Sequence, residues 1–146
     1  MRILGIDYGD SRVGLAITDE LLITAQGLET IHHNGNDKVV LKRLEEILET
    51  YQIQTIVVGM PINMDGSRRE RAEVTEKFIH KLKCKFNKVN LETIDERLTT
   101  VAAHKTMNYL NINGSKKRGI VDTISAVYIL ETYMNKLKNE KWVYVL

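Results

Sequence analysis

Four acidic side chains stand where solvent does not account for them. Asp7 closes the apolar run "ILGID", Asp95 and Glu96 close "NLETIDE", and Asp122 lies within "GIVDTISAVYIL", a helical stretch with almost no polar face. An ionised carboxylate in apolar surroundings is costly unless a cation, a metal ion or several hydrogen bonds compensate it. The runs themselves contain no dedicated basic partner, and no histidine or cysteine is convincingly spaced to join them. Carboxylates converging from three segments are hard oxygen ligands of the kind that hold Mg²⁺ or Mn²⁺. Two such ions about 4 Å apart activate a water and stabilise the leaving oxygen of a phosphodiester during in-line displacement. That chemistry also needs a basic rim to hold the phosphate chain. Arg12, Arg97, Lys116, Lys117 and Arg118 flank the three acidic sites in sequence. The last three enter the helix that carries Asp122, whose N-terminal end also favours phosphate. Strand alternation puts Asp95 and Glu96 on opposite faces, and pattern alone does not choose between them.

These residues need elements to bring them together. Positions 2–7 and 12–18 ("RVGLAIT") read as buried strands joined by a Gly/Asp/Ser turn, which is a hairpin signal. A third strand is expected over 25–32, followed by the turn and N-cap residues Asn34 to Asp37. Apolar residues at helical spacing predict an amphipathic helix over 38–51. "TIVVGMP" reads as a central parallel strand buried on both faces. A loop through 63–67, a helix over 69–83 and a fifth strand over 88–94 follow, then helices over 98–110 and 119–137. This order predicts an α/β fold: a mixed five-stranded sheet, antiparallel through strands 1–3 and then parallel, with helices on both faces. Sites in such sheets gather at the C-terminal ends of strands, where Asp7 and Asp95-Glu96 fall. One domain is expected over 1–138, with 139–146, including "WVYVL", as a tail or short edge strand.

The bulk numbers narrow the classes. With 146 residues, 43% of them hydrophobic, the chain can bury one sizeable core. No apolar run approaches the roughly 20 residues of a membrane span, and the start lacks the shape of a signal peptide, so a soluble cytoplasmic protein is expected. A single cysteine, Cys84, excludes an intrachain disulfide and reads as a passive thiol on a helix. A net charge of +2 is too mild to declare a nucleic-acid binder, so local clusters must carry that reading. His32, His33 and His80 read as surface residues, and His104 as one that could approach the site.

The segments "GIDYGDSRVGLAITD", "VVGMPINMDGS", "DERLTT" and "KKRGIVDTISAVYIL", in this order over nearly the whole chain, resemble the YqgF family. Its members are named as pre-16S rRNA nucleases and, formerly, as Holliday-junction-resolvase-like proteins. The resemblance implies an RNase H-like fold and a Mg²⁺- or Mn²⁺-dependent nuclease, a hydrolase acting on ester bonds of structured nucleic acid. It implies Asp7, Glu96 and Asp122 as the catalytic and metal-binding set, and so favours Glu96 over Asp95. Gly59, Pro61, Asn63, Asp65, Gly66 and Ser67 match the family's central loop, expected to shape the rim. Processing of the pre-16S rRNA 5′ end is the leading expectation, with structured RNA as partner and the chain a monomer or homodimer. A Holliday-junction resolvase acting on branched DNA is the alternative, as is a non-catalytic assembly factor. An ATP-binding domain of the actin, chaperone and sugar-kinase type would need a second Asp-x-Gly loop, and Asp7-Tyr8-Gly9 stands alone.

Overall fold

Alternation along the first strand settles which side of the sheet each side chain takes. In β1 (Arg2–Tyr8), Leu4, Ile6 and Tyr8 join one apolar cluster while Ile3 joins a second, leaving Gly5 and Asp7 with the parity of Ile3. β1 pairs antiparallel with β2 (Arg12–Thr18), which pairs antiparallel with β3 (Ala25–His32). On its other side β1 pairs parallel with β4 (Ile53–Met60), and β4 with β5 (Asn90–Asp95). The sheet order is β3-β2-β1-β4-β5, the mixed arrangement expected from the order of elements. In this computed structural model the described backbone covers residues 1–61, 70–95 and 114–145. The expected loop over 63–67 and helix over 98–110 lie outside the described residues.

Three described helices cover the two faces. α1 (Asp37–Thr50) starts where the Asn36 side chain accepts a hydrogen bond from the Lys38 N–H at 3.1 Å, and it buries Val40, Leu44 and Ile47. α2 (Glu70–Lys85) buries Ala72, Thr75, Phe78, Ile79 and Leu82. Both apolar sides pack on Leu4, Ile6, Val13, Leu15, Ile56 and Val58, forming the larger core. α3 (Gly114–Val145) covers the opposite face, where Ala126, Ile129 and Leu130 meet Ile3, Ala16, Val57 and Ile94. Each fully buried Leu, Ile or Phe contributes about 1.5–3 kcal/mol of apolar burial, so both faces of the central strands are anchored.

α3 differs from expectation at both ends. It begins at Gly114 rather than near 119, and its backbone is helical over 139–145, where a tail or edge strand was expected. No glycine or proline follows Gly119, so nothing interrupts the helix. The β-branched and aromatic "WVYV" favours a strand only with a pleated neighbour to pack on, and its backbone here continues the helix. Among the described helices none is long and apolar enough to cross a membrane.

Candidate active site

The place where α3 meets the sheet is set by a missing side chain. A Cβ on Gly14 would overlap the carbonyl carbon and oxygen of Asp122 and would come within 2.9 Å of the Asp122 Cβ, so the helix backbone rests directly on β2 there. Gly14 is the register partner of Asp7 across the hairpin. Asp7 and Asp122 are thereby brought to one point from opposite ends of the sequence. Further along α3 a second close approach occurs at Gly5, where a Cβ would lie 2.6 Å from the Leu130 Cγ.

Arg12 completes this point. Its Nε donates to Asp122 Oδ2 at 2.7 Å, with the two side chains 30% and 17% exposed. Burial pushes the Asp122 carboxyl above the ordinary carboxylate range; the Arg12 guanidinium opposes the shift and the charge of Asp7 adds to it. The apolar run around Asp122 holds no basic partner of its own, and the opposing hairpin supplies one. The signal was present in alternation: Arg12 has the parity of Gly14 and Ala16, and so belongs to the face that α3 covers. Asp122 also stands deeper than the first turn, because α3 starts at Gly114. Its position therefore owes little to the helix N-terminal dipole, which acts within the first turn.

The end of β1 is braced from the other face. The Gly9 N–H donates to the Arg12 carbonyl at 2.9 Å and closes the hairpin turn. The backbone N–H of His33 donates to the Ser11 carbonyl at 2.9 Å. The residue is 3% exposed, which corrects the expectation of a surface histidine. Nδ1 accepts from the Gly35 N–H at 3.0 Å, so Nε2 carries the proton and donates to the Gly9 carbonyl at 2.9 Å. Tyr8 stacks on His33 and on Phe78, with ring centroids 5.5 Å and 4.2 Å away. Its hydroxyl donates to Asp37 Oδ1 at 2.5 Å, and Lys81 donates to Asp37 Oδ2 at 2.8 Å. Burial and the Asp37 carboxylate push the Tyr8 hydroxyl well above its usual range. Burial works to raise the Asp37 carboxyl too, but the hydrogen bonds from Lys81 and Tyr8 outweigh it and hold it below its ordinary value. Asp7 thus lies in a strand whose end is locked to both α1 and α2.

Other expected residues are placed differently. Glu96, Arg97 and His104 lie outside the described residues. Lys116, Lys117 and Arg118 fall in the opening turns of α3, inside the helix rather than ahead of it. His80 and Cys84 are exposed on α2, with Sγ 3.6 Å from the imidazole Nε2, in keeping with a passive surface thiol. Sequence reasoning passed over Ser125, one turn beyond Asp122, whose buried Oγ has no hydrogen-bond partner among the described residues.

The donor set suits a hard divalent cation. Asp7 and Asp122 offer only oxygen, they are close enough for one charge to resist ionisation of the other, and one arginine leaves the trio net negative. Among the described residues no group of three His, Cys, Asp or Glu forms a complete cage.

Comparison with known proteins places this geometry in context. Residues 1–136 match the family model described as RuvX, Holliday junction resolvase. Over 141 residues the chain is 52% identical to a protein of Ruminiclostridium cellulolyticum named "Putative pre-16S rRNA nuclease", covering 97% of this chain and 99% of that one. A protein of the same name from Acetivibrio thermocellus is 50% identical over 135 residues, covering 92% and 96%. Among solved structures, Thermus thermophilus RuvC in complex with a Holliday junction substrate superposes with a TM-score of 0.54 at 14% identity, over 92% of this chain and 96% of that one. The fowlpox virus Holliday junction resolvase gives 0.56 at 14% identity, over 94% and 99%. At these identities the likeness is one of fold, the RNase H-like fold.

Proposed function

The chain belongs to the RuvX/YqgF family, and from that premise we propose that it is a divalent-metal-dependent endonuclease cleaving structured RNA, acting in 5′-end processing of pre-16S rRNA in the cytoplasm. The observation that carries this reading is the convergence of Asp7 and Asp122 over Gly14, with Arg12 on the same carboxylate. In this reading Asp7, Glu96 and Asp122 hold Mg²⁺ or Mn²⁺. Glu96 has the sequence parity of Ile94, which packs on the α3 side of β5. When bound, the cation supplies activation of the attacking water and charge stabilisation at the scissile phosphate. The protein's own contribution is preorganisation. Asp7 lies in a strand whose end is tied down by His33, Tyr8, Asp37 and Lys81, and Asp122 is fixed by helix backbone resting on Gly14. Groups held this way need little reorganisation as charge develops. Arg12, Arg97, Lys116, Lys117 and Arg118 are assigned to the substrate backbone. Relatives at 50–52% identity carry the rRNA nuclease name, which supports RNA over branched DNA as the substrate.

The test is cleavage by the purified full chain with Mg²⁺ or Mn²⁺, on a pre-16S rRNA 5′ leader, an unrelated structured RNA and a four-way DNA junction. Cutting of the leader that stops in EDTA is expected. Asp7→Asn, Glu96→Gln and Asp122→Asn should each abolish it while leaving the circular dichroism spectrum unchanged. Preferential cutting of the junction would replace the rRNA reading by the resolvase one. Binding of RNA without any metal-dependent cleavage would replace both by the assembly-factor reading.

A further inference from the structure

We infer that Arg12 is a tethered competitor of the divalent cation: its guanidinium offsets one of the two charges of the Asp7–Asp122 pair and swings out to the substrate backbone when the cation takes the Asp122 carboxylate. This rests on the nuclease reading above, which assigns Arg12 to the substrate and Asp122 to the metal. Three observations carry it. Arg12 Nε lies 2.7 Å from Asp122 Oδ2, so the guanidinium takes up one lone-pair direction of that oxygen and sets a positive charge where a metal ion would have to approach. Among the described residues, Arg12 is the basic side chain within ion-pair distance of either carboxylate, so the pair carries one negative charge with it and two without it. The Arg12 backbone is fixed, with its carbonyl accepting from Gly9 and its position paired to His32 in β3, whereas the side chain is 30% exposed. Movement is therefore confined to a side chain that already reaches solvent, at the rim where a phosphate would lie.

The consequence is coupling in one residue. Cation binding frees a guanidinium suited to bidentate phosphate contact, and a phosphate that captures the guanidinium clears Asp122 for the cation. Arg12 thus favours joint over separate loading of metal and nucleic acid.

Mn²⁺ binding to the full chain, measured by electron paramagnetic resonance of the free ion, tests this without reference to cleavage. Arg12→Gln should tighten Mn²⁺ binding roughly tenfold, the scale of one partly screened charge contact. Arg12→Lys, which keeps the charge, should stay near the wild type. Equal or weaker Mn²⁺ binding by Arg12→Gln would overturn the competition. The wild type gives a second measurement that needs no variant: on Mg²⁺ titration the Arg12 Nε–H resonance should lose the shift of a carboxylate-bonded proton. A resonance that stays put at Mg²⁺ saturation overturns the displacement. A wild type that binds neither ion would instead defeat the nuclease reading itself, a result readily told apart from the other two.

Discussion

At the scale of single residues, the strand that carries Asp7 depends on polar groups at its end and on the helices beside it. Asp37 receives Tyr8 and Lys81 together and its side chain is 13% exposed, whereas Lys81 is 52% exposed. The solvent around Lys81 weakens that ion pair, so removing the charge should cost about 1–2 kcal/mol rather than the full worth of a buried charged hydrogen bond. The direction with pH follows from the carboxyl being held below its unfolded value of 3.8. A group whose folded pKa is depressed adds stability that is complete above the unfolded value and is lost as pH falls through the folded one. Asp37→Asn should therefore be less stable than wild type at pH 7 in urea denaturation, and the gap should narrow below about pH 3.8. A gap that persists unchanged in acid would show that the loss is one of packing. His33 belongs to the same scale. Among the described residues its ring bonds to backbone, a carbonyl and an N–H, which no pattern of side chains displays. That is why it looked like a surface residue in the sequence.

At the scale of elements, the decisive contact is backbone on backbone between α3 and the hairpin. A methyl group at position 14 would meet the Asp122 main chain, which has no rotamer to yield, whereas at position 27 it would meet the Thr123 side chain at 3.2 Å. Overpacking typically costs 1–3 kcal/mol, and about the upper end is expected at Gly14 because the helix itself must move. Gly14→Ala should lose more stability than Gly27→Ala in urea denaturation and should also lose cleavage, since lifting α3 carries Asp122 away from Asp7. Equal losses at the two positions would mean that α3 is not seated on Gly14. The elements were legible where burial imposes a pattern, as in the β1–β2 hairpin and the parallel β4, which fall where buried runs put them; β3, with Ile31 its one buried residue, still spans Ala25–His32 as read. The far end of α3 was not legible, because strand propensity in "WVYV" needs a neighbouring strand to act on, and among the described residues its backbone continues the helix. The Arg12–Asp122 pair joins residues 110 apart in sequence, and only the packing of α3 on β2 makes it visible. The two aspartates of the candidate site were singled out by their apolar surroundings; the arginine between them was assigned to substrate alone.

At the scale of the whole molecule, the electrostatics pose a problem for a protein that handles a polyanion. With 21 basic and 19 acidic residues the net charge is +2, too little to draw in a phosphate chain over any distance. The Asp7–Asp122 pair, even with Arg12 paired, would repel the phosphate that the proposed function brings to it. Attraction must then be local, and α3 offers a place for it, since Lys116, Lys117 and Arg118 sit in its opening turns, four to six positions before Asp122. In log K against log salt, every neutralised phosphate accounts for a slope of about 0.7 to 0.9. Replacing all three by glutamine should therefore flatten the slope for a labelled leader RNA by about 2, and weaken binding most at low salt. Fluorescence anisotropy across a salt series in EDTA measures this with cleavage suppressed. Under the same conditions Asp7→Asn, which removes a repelling charge, should bind the RNA more tightly than wild type while leaving the slope intact. Binding and chemistry are then opposed at the aspartates and supported at separate places on one helix. A triple variant with an unchanged slope would make Lys116 to Arg118 a solvated face and move the search for the substrate path elsewhere on the basic surface.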